Sequence, residues 1–178
     1  MLVGARPEQY AEAFSCFYRE FVARLVAYIV HQGASMDLAA DIVQDTMIKA
    51  YRKWPEIECH KAWAYKVAYR EYLRHVMRVV EAPVAEISEP TPLLPCPEEA
   101  EAWAQEQEIV RVVRGLPGRQ RQVFALFLDG WTPAEIAGLL GIEGPAVRSS
   151  LRKARVAVGA ELRRGEGDEN GEIGEGEA

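Results

Sequence analysis

The sequence predicts an all-α protein of two small helical domains, joined by a proline-rich acidic linker. In both halves of the 178-residue chain, apolar residues recur at intervals of three and four, the period of a helix buried on one face. Strand-like alternation is weak throughout. Five prolines lie between residues 83 and 97 and favour extended chain there. We therefore predict four segments: a first domain over 1–80, the linker over 81–97, a second domain over 98–164 and a disordered acidic tail over 165–178.

Charge is distributed unevenly along the chain, whose formal net charge is -6. Residues 1–80 carry +2 and residues 111–164 carry +6, whereas residues 81–110 carry -8 and residues 165–178 carry -6. Attraction to phosphate acts over a Debye length of about 8–10 Å, so local charge matters more than the total. The basic blocks are therefore compatible with nucleic-acid binding.

Several classes of protein are disfavoured by the sequence. There is no apolar run long enough to span a membrane and no signal-peptide pattern at the start. The three cysteines, Cys16, Cys59 and Cys96, lack the spacing of a disulfide framework or a zinc site. No nucleophile–base pair, phosphate-binding glycine loop or metal-ligand cluster is recognisable. We expect a cytoplasmic protein that is not an enzyme, with no catalytic residues, no metal and no cofactor.

Two amphipathic helices are predicted first. The apolar face of the first helix is formed by Phe14, Phe17, Phe21, Leu25 and Tyr28. A "GAS" break follows, and Ser35 is suited to capping the second helix. The inward residues of that second helix are Ala39, Val43, Met47 and Ala50. Its opposite side is formed by Asp41, Gln44, Asp45 and Ile48.

A third helix is predicted from Lys61 to Arg78, and it combines cations with aromatic residues. Its cations recur every four residues, at Lys66, Arg70, Arg74 and Arg78. Its aromatic residues are Trp63, Tyr65, Tyr69 and Tyr72. This combination suits unstacked single-stranded bases. A buried aromatic core beneath a solvated basic face explains the same pattern and is the favoured interpretation when this helix is taken alone.

The second domain contains a predicted helix-turn-helix. Thr132, Pro133 and Glu135 form a capping-box start, and Gly141 ends the helix Pro133–Leu140. A second helix begins near Pro145. Its inward residues are Val147, Leu151, Ala154 and Val158, and its outward residues are Arg148, Ser149, Arg152, Lys153 and Arg155. Such a basic outer face is typical of a helix that enters the major groove of DNA.

Together these segments resemble a known family. "LPGRQRQVFALFLDGWTPAEIAGLLGIEGPAVRSSLRKAR" resembles region 4 of bacterial sigma factors. "FYREFVARLVAYIV", "AADIVQDTMIKAYRKW" and "KAWAYKVAYREYLRHVMR" resemble region 2, in the same order. With these two regions and a short linker, the chain resembles the extracytoplasmic-function (ECF) type. The resemblance implies promoter DNA and core RNA polymerase, through its beta-prime coiled coil and beta flap, as partners, and makes an anti-sigma factor an expected third partner.

The resemblance also implies roles for individual residues. It assigns core polymerase binding to Asp41, Ile42, Gln44, Asp45 and Ile48. It assigns minus-ten DNA binding to Trp63, Lys66, Tyr69, Arg70, Arg74 and Arg78. It assigns minus-thirty-five DNA binding to Pro145, Arg148, Ser149, Arg152, Lys153 and Arg155. The loop Pro55–His60 corresponds to the part that contacts a flipped minus-ten base.

Four positions depart from the usual pattern of the family. Arg70 stands where Asn is usual, Arg74 where Asp is usual, and Glu71 where a small apolar residue is common; Ser150 replaces the usual Arg of an "SRL" triplet. The preferred promoter sequence therefore cannot be transferred from the family. Two alternatives stay open: a stand-alone helix-turn-helix regulator, and a sigma-like interaction protein that has lost initiation.

Overall fold

The computed structural model describes residues 10–81 and 108–169, which fall into two separate units, within residues 1–91 and 92–178. The N-terminal unit contains α1 (Ala11–His31), α2 (Met36–Arg52), a 3-10 turn (Trp54–Glu56) and α3 (His60–Glu81). The C-terminal unit contains α4 (residues 108–115), α5 (Gly118–Leu128), α6 (Pro133–Leu140) and α7 (Gly144–Glu169). No strand occurs within these residues, and the predicted all-α class is confirmed.

The N-terminal unit is a three-helix bundle around an apolar core. Phe21 and Leu25 of α1, Val43 of α2 and Ala64 and Tyr65 of α3 are all buried there. Tyr65 lies edge-on to two rings of α1, with its centroid 5.2 Å from that of Phe21 and 4.8 Å from that of Tyr28. The predicted inward stripe of α2 and the Phe21–Tyr28 part of that of α1 therefore supply this core, whereas Phe14 and Phe17 are half-buried.

The turn between α1 and α2 is set by a cap and a glycine. The Leu38 N–H donates to Ser35 Oγ at 3.3 Å, as the sequence predicted. Gly33 adopts a positive φ of 114°, and a Cβ there would lie 3.0 Å from the Tyr72 hydroxyl. That hydroxyl donates to the Gln32 carbonyl oxygen at 2.8 Å. This close approach ties α3 to the turn and requires glycine at position 33.

The C-terminal unit packs α5 and α6 against α7. Thr132 and Glu135 form the predicted capping box, and Gly141 ends α6 with a φ of 63°. Val147, Leu151 and Ala154 of α7 are buried, whereas Val158 is half-buried. We expected this helix to end before an irregular tail at residue 165, but it continues to Glu169. Residues 170–178 of the predicted tail and residues 82–97 of the predicted linker lie outside the described residues.

None of the helices described within residues 10–81 and 108–169 combines the length and apolar content that crossing a bilayer requires.

Candidate functional site

The outer face of α2 presents an acidic and apolar surface to solvent. Asp41, Gln44 and Asp45 are exposed, and Ile48 is 50% exposed. Beside them, α1 and α2 form an open groove of about 550 Å³ whose lining residues are Phe14, Tyr18, Gln44, Met47, Ile48, Tyr51 and Arg52. We name Asp41, Gln44, Asp45 and Ile48 the α2 face. An apolar groove beside carboxylates is suited to binding another protein.

Ile42 does not belong to the α2 face, although the sequence placed it among the polymerase-binding residues. The structure buries it at 7% exposure, together with Val43, in the core of the bundle. Its neighbour Asp41 points outward because adjacent helical residues are about 100° apart. Ile42 therefore supports the fold beneath this face, and the prediction that it forms a direct contact is corrected.

The four predicted cations of α3 are all exposed. Lys66, Arg70, Arg74 and Arg78 lie on the solvent side of the helix, and we call them the α3 stripe. Arg70 and Lys66 form no ion pair with any acid within residues 10–81 and 108–169. An exposed row of cations along one helix is suited to following a phosphate backbone.

The aromatic residues of α3 divide into two groups. Tyr65 and Tyr72 are buried in the bundle and are unable to stack on a ligand. Trp63 and Tyr69 are half-buried, so each retains accessible ring surface. Tyr65 and Tyr72 are therefore core residues. Trp63 and Tyr69, to which the resemblance assigns minus-ten DNA binding, stay accessible for stacking.

Exposed apolar residues also lie along the α3 stripe, and the sequence prediction missed them. Leu73 is 38% exposed and Met77 is 65% exposed, one turn apart on the same side of the helix as Arg70 and Arg74. Large apolar side chains are usually buried, so the sequence pattern gave no reason to single them out. The available signal was their position around the helix, which differs from the side that carries the buried Tyr65 and Tyr72.

The structure links Glu71, one of the atypical residues, to two cations. Its Oε1 accepts hydrogen bonds from Lys49 Nζ of α2 at 2.9 Å and from Arg74 Nη1 at 2.7 Å. The Glu71 side chain is 23% exposed, and that of Arg74 is 60% exposed. The hydrogen bond from Lys49 lowers the pKa of Glu71 below its ordinary value of 4.5, with a further contribution from Arg74, although partial burial opposes both.

Stability should therefore depend on pH through Glu71. A carboxyl group whose pKa is lowered by folding stabilises the folded state above its unfolded pKa, and this contribution is lost as pH falls through the folded pKa. We expect Glu71→Gln to reduce the free energy of unfolding by at most about 1 kcal/mol at pH 7. The difference from the wild type should shrink below pH 4.5 in urea titrations. A difference that stays constant from pH 7 to pH 3 would contradict this assignment.

The loop before α3 is anchored by stacked rings. Trp54 is buried and stacks on His60 with a centroid distance of 3.7 Å, and His60 Nε2 lies 3.1 Å from the Trp54 carbonyl oxygen. Between them, Pro55, Glu56 and Glu58 are exposed. The loop that was predicted to contact a flipped base is thus held at both ends; Pro55, Glu56 and Glu58 face solvent, whereas Ile57 is buried.

The outward face of α7 is basic, as predicted. Pro145, Arg148, Arg152, Lys153 and Arg155 are exposed and Ser149 is half-buried; we call this set the α7 face. The guanidinium of Arg155 lies 4.6 Å from the centroid of the Phe127 ring of α5. This cation–π contact joins α5 to α7 and gives Arg155 a packing role that the sequence did not predict.

Within the described residues, no three His, Cys, Asp or Glu side chains converge to form a possible metal site.

Comparison with known families identifies both units. The profile of Sigma-70 region 2 matches residues 17–79, and the profile of Sigma-70 region 4 matches residues 106–158. Together they account for more than half of the chain, and they include most of α1–α3 and of α4–α7 respectively. The chain belongs to the sigma-70 family. The ECF-type resemblance inferred from the sequence is confirmed. Members of this family are transcription regulators rather than enzymes.

Individual relatives of this sigma-70 family member are distant in sequence. It is 27% identical over 139 residues to the "Probable RNA polymerase sigma factor RfaY" of Xanthomonas campestris pv. campestris. That match covers 71% of this chain but only 35% of the relative.

Two solved structures share the fold of this family member. The first is the sigma factor RpoE in complex with the anti-sigma factor NepR from Bartonella quintana, with a TM-score of 0.68 and 22% identity; the match covers 85% of this chain and 98% of that one. The second is CnrH in complex with the cytosolic domain of CnrY, with a TM-score of 0.67 and 18% identity, covering 89% and 92% of the two chains.

Proposed function

We propose that this chain is a sigma factor that directs core RNA polymerase to specific promoters and initiates transcription in the cytoplasm. The observation that carries the proposal is that regions 2 and 4 occur in one chain and each exposes the residues its role requires. The α2 face is exposed to a protein partner, whereas the α3 stripe and the α7 face are exposed to nucleic acid. Phosphodiester chemistry stays with the polymerase.

Polymerase docking is assigned to the α2 face, which corresponds to the segment that binds the beta-prime coiled coil in the family. Asp41 and Asp45 offer charge for a basic partner surface, and the exposed Ile48 offers apolar area beside the groove. Complementary charges select the partner and orient it during association. The beta flap is assigned to region 4 by the resemblance alone.

DNA contacts are divided between the two units. In the N-terminal unit, the cations Lys66, Arg70 and Arg78 of the α3 stripe would follow the phosphates of a separated minus-ten strand, with Trp63, Tyr69 and the exposed Met77 beside its bases. Stacking on aromatic rings contributes about 1–3 kcal/mol per base. In the C-terminal unit, the α7 face would enter the major groove of the minus-thirty-five element.

An anti-sigma factor is the expected inhibitor. One solved neighbour is described as the sigma factor RpoE in complex with the anti-sigma factor NepR, and the other as CnrH in complex with the cytosolic domain of CnrY. The exposed α2 face and its apolar groove provide a surface that such a protein would cover in competition with polymerase. Co-purification of the chain from its host under repressing growth conditions would identify this protein.

In vitro transcription with purified core polymerase tests the proposal. Host genomic DNA fragments serve as template, and sequencing of RNA 5′ ends identifies the start sites. We expect discrete start sites that require both the chain and the core enzyme. Specific DNA binding without polymerase, and no start sites, would instead indicate a stand-alone regulator. Polymerase binding that never yields start sites would indicate a sigma-like interaction protein.

A further inference from the structure

One acidic residue of α3, Glu71, contacts the α3 stripe directly. Glu71 follows Arg70 in sequence, but its side chain turns toward α2 and is less exposed than its two partners. A single oxygen, Oε1, accepts from both Lys49 and Arg74, at 2.9 and 2.7 Å. Lys49, Glu71 and Arg74 therefore form a group of three with a net charge of +1 rather than +2.

Arg74 differs in this respect from Arg70, one turn earlier. Both are exposed, but Arg70 has no acidic partner within the described residues, whereas Arg74 donates to a carboxylate at 2.7 Å. To bind a phosphate, Arg74 has to leave Glu71 or share its donors. The same hydrogen bond holds its guanidinium against the Glu71 carboxylate.

We propose that Glu71 is a positioning residue that withholds Arg74 from the DNA backbone, so that phosphates contact the α3 stripe on either side of Arg74. This inference rests on the proposed strand-binding function of α3. Arg70 and Arg78 are eight residues apart, which is about 12 Å along the helix. Between them, the strand meets the exposed apolar side chains of Leu73 and Met77.

The salt dependence of binding distinguishes a withheld cation from a bound one. Each phosphate neutralised on a single strand contributes about -0.7 to the slope of log K against log salt concentration. If Glu71→Gln releases Arg74 to bind one more phosphate, the slope becomes more negative by about 0.7. A fourfold rise in salt then weakens binding by a further factor of about 2.6 relative to the wild type.

The experiment titrates the full chain with fluorescein-labelled oligothymidylate at several salt concentrations. We expect Glu71→Gln to steepen the slope and Arg74→Gln alone to leave it at the wild-type value. The double variant Glu71→Gln, Arg74→Gln should return to the wild-type slope. Glu71→Gln combined with Lys49→Gln should keep the steeper slope, which assigns the released charge to Arg74. Arg70→Gln is the matched comparison and should make the slope shallower by about 0.7.

Three results would overturn the inference: an unchanged slope in Glu71→Gln, an Arg74→Gln variant as shallow as Arg70→Gln, or loss of the steepening when Lys49 is replaced. If Glu71→Gln does not fold, as measured by thermal unfolding, the comparison of Arg74→Gln with Arg70→Gln decides alone, because neither breaks the Lys49–Glu71 contact. Failure of every variant and the wild type to bind the oligonucleotide would overturn the strand-binding function itself.

Discussion

Replacing Asp45 with arginine should abolish binding to core RNA polymerase while leaving the fold intact. Asp45 is exposed on the α2 face, away from the bundle core, so the substitution disturbs no packing. At an interface that pairs this carboxylate with a cation, arginine places like charges together, which costs several kcal/mol. A loss of about 2.7 kcal/mol or more corresponds to at least about 100-fold weaker binding.

Glu12→Arg is the matched control for this variant. Glu12 is also exposed and lies in the first turn of α1, outside the α2 face, so it undergoes the same change of charge. Pull-down of purified core polymerase and circular dichroism would be measured for both variants. If Asp45→Arg recovers as much polymerase as Glu12→Arg does, polymerase does not dock on the α2 face.

The α2 face illustrates how far helical periodicity predicts a site. The spacing of Ala39, Val43 and Met47 correctly predicted which side of α2 is buried, because an amphipathic helix packs its apolar face against the core. Ile42 was misassigned because the resemblance supplied a contiguous segment, whereas burial depends on angle around the helix. The apolar groove beside Ile48 also depends on Phe14 and Tyr18, whose distance from α2 only the folded bundle determines.

The helix-turn-helix was predictable in greater detail because its signals are local. Thr132, Glu135 and Gly141 act within a few residues of chain, and the capping box and left-handed glycine were found where the sequence placed them. The contacts of Glu71 with Lys49 and of Arg155 with Phe127 join residues 22 and 28 positions apart. Charge patterning along one helix contains no information about such partners on another helix.

Removing single arginines of the α7 face should weaken promoter binding strongly. Arg148 and Arg152 are exposed one turn apart, and Arg148 Nη1 would lie 3.2 Å from a Cβ at Gly144, in the first turn of the helix. In a helix-turn-helix, the N-terminal residues of the second helix contact base edges in the major groove. We therefore expect Arg148→Ala and Arg152→Ala each to cost about 1–3 kcal/mol, with relaxed preference at one base pair where the contact is to guanine.

Arg163→Ala provides the control on the same helix. Arg163 is exposed like Arg148 but lies 15 residues farther along α7, which places it about 22 Å from Arg148 along the helix axis. Promoter affinity of the holoenzyme would be measured for each variant over a range of salt concentrations and on single-base-pair promoter variants. A base contact predicts lost discrimination at one position, whereas a phosphate contact predicts uniform weakening and a slope reduced by about 1. If Arg148→Ala and Arg152→Ala both match Arg163→Ala in promoter affinity, salt slope and base preference, the α7 face does not read the promoter. Loss of an arginine that contacts a base or a phosphate would change at least one of these three quantities.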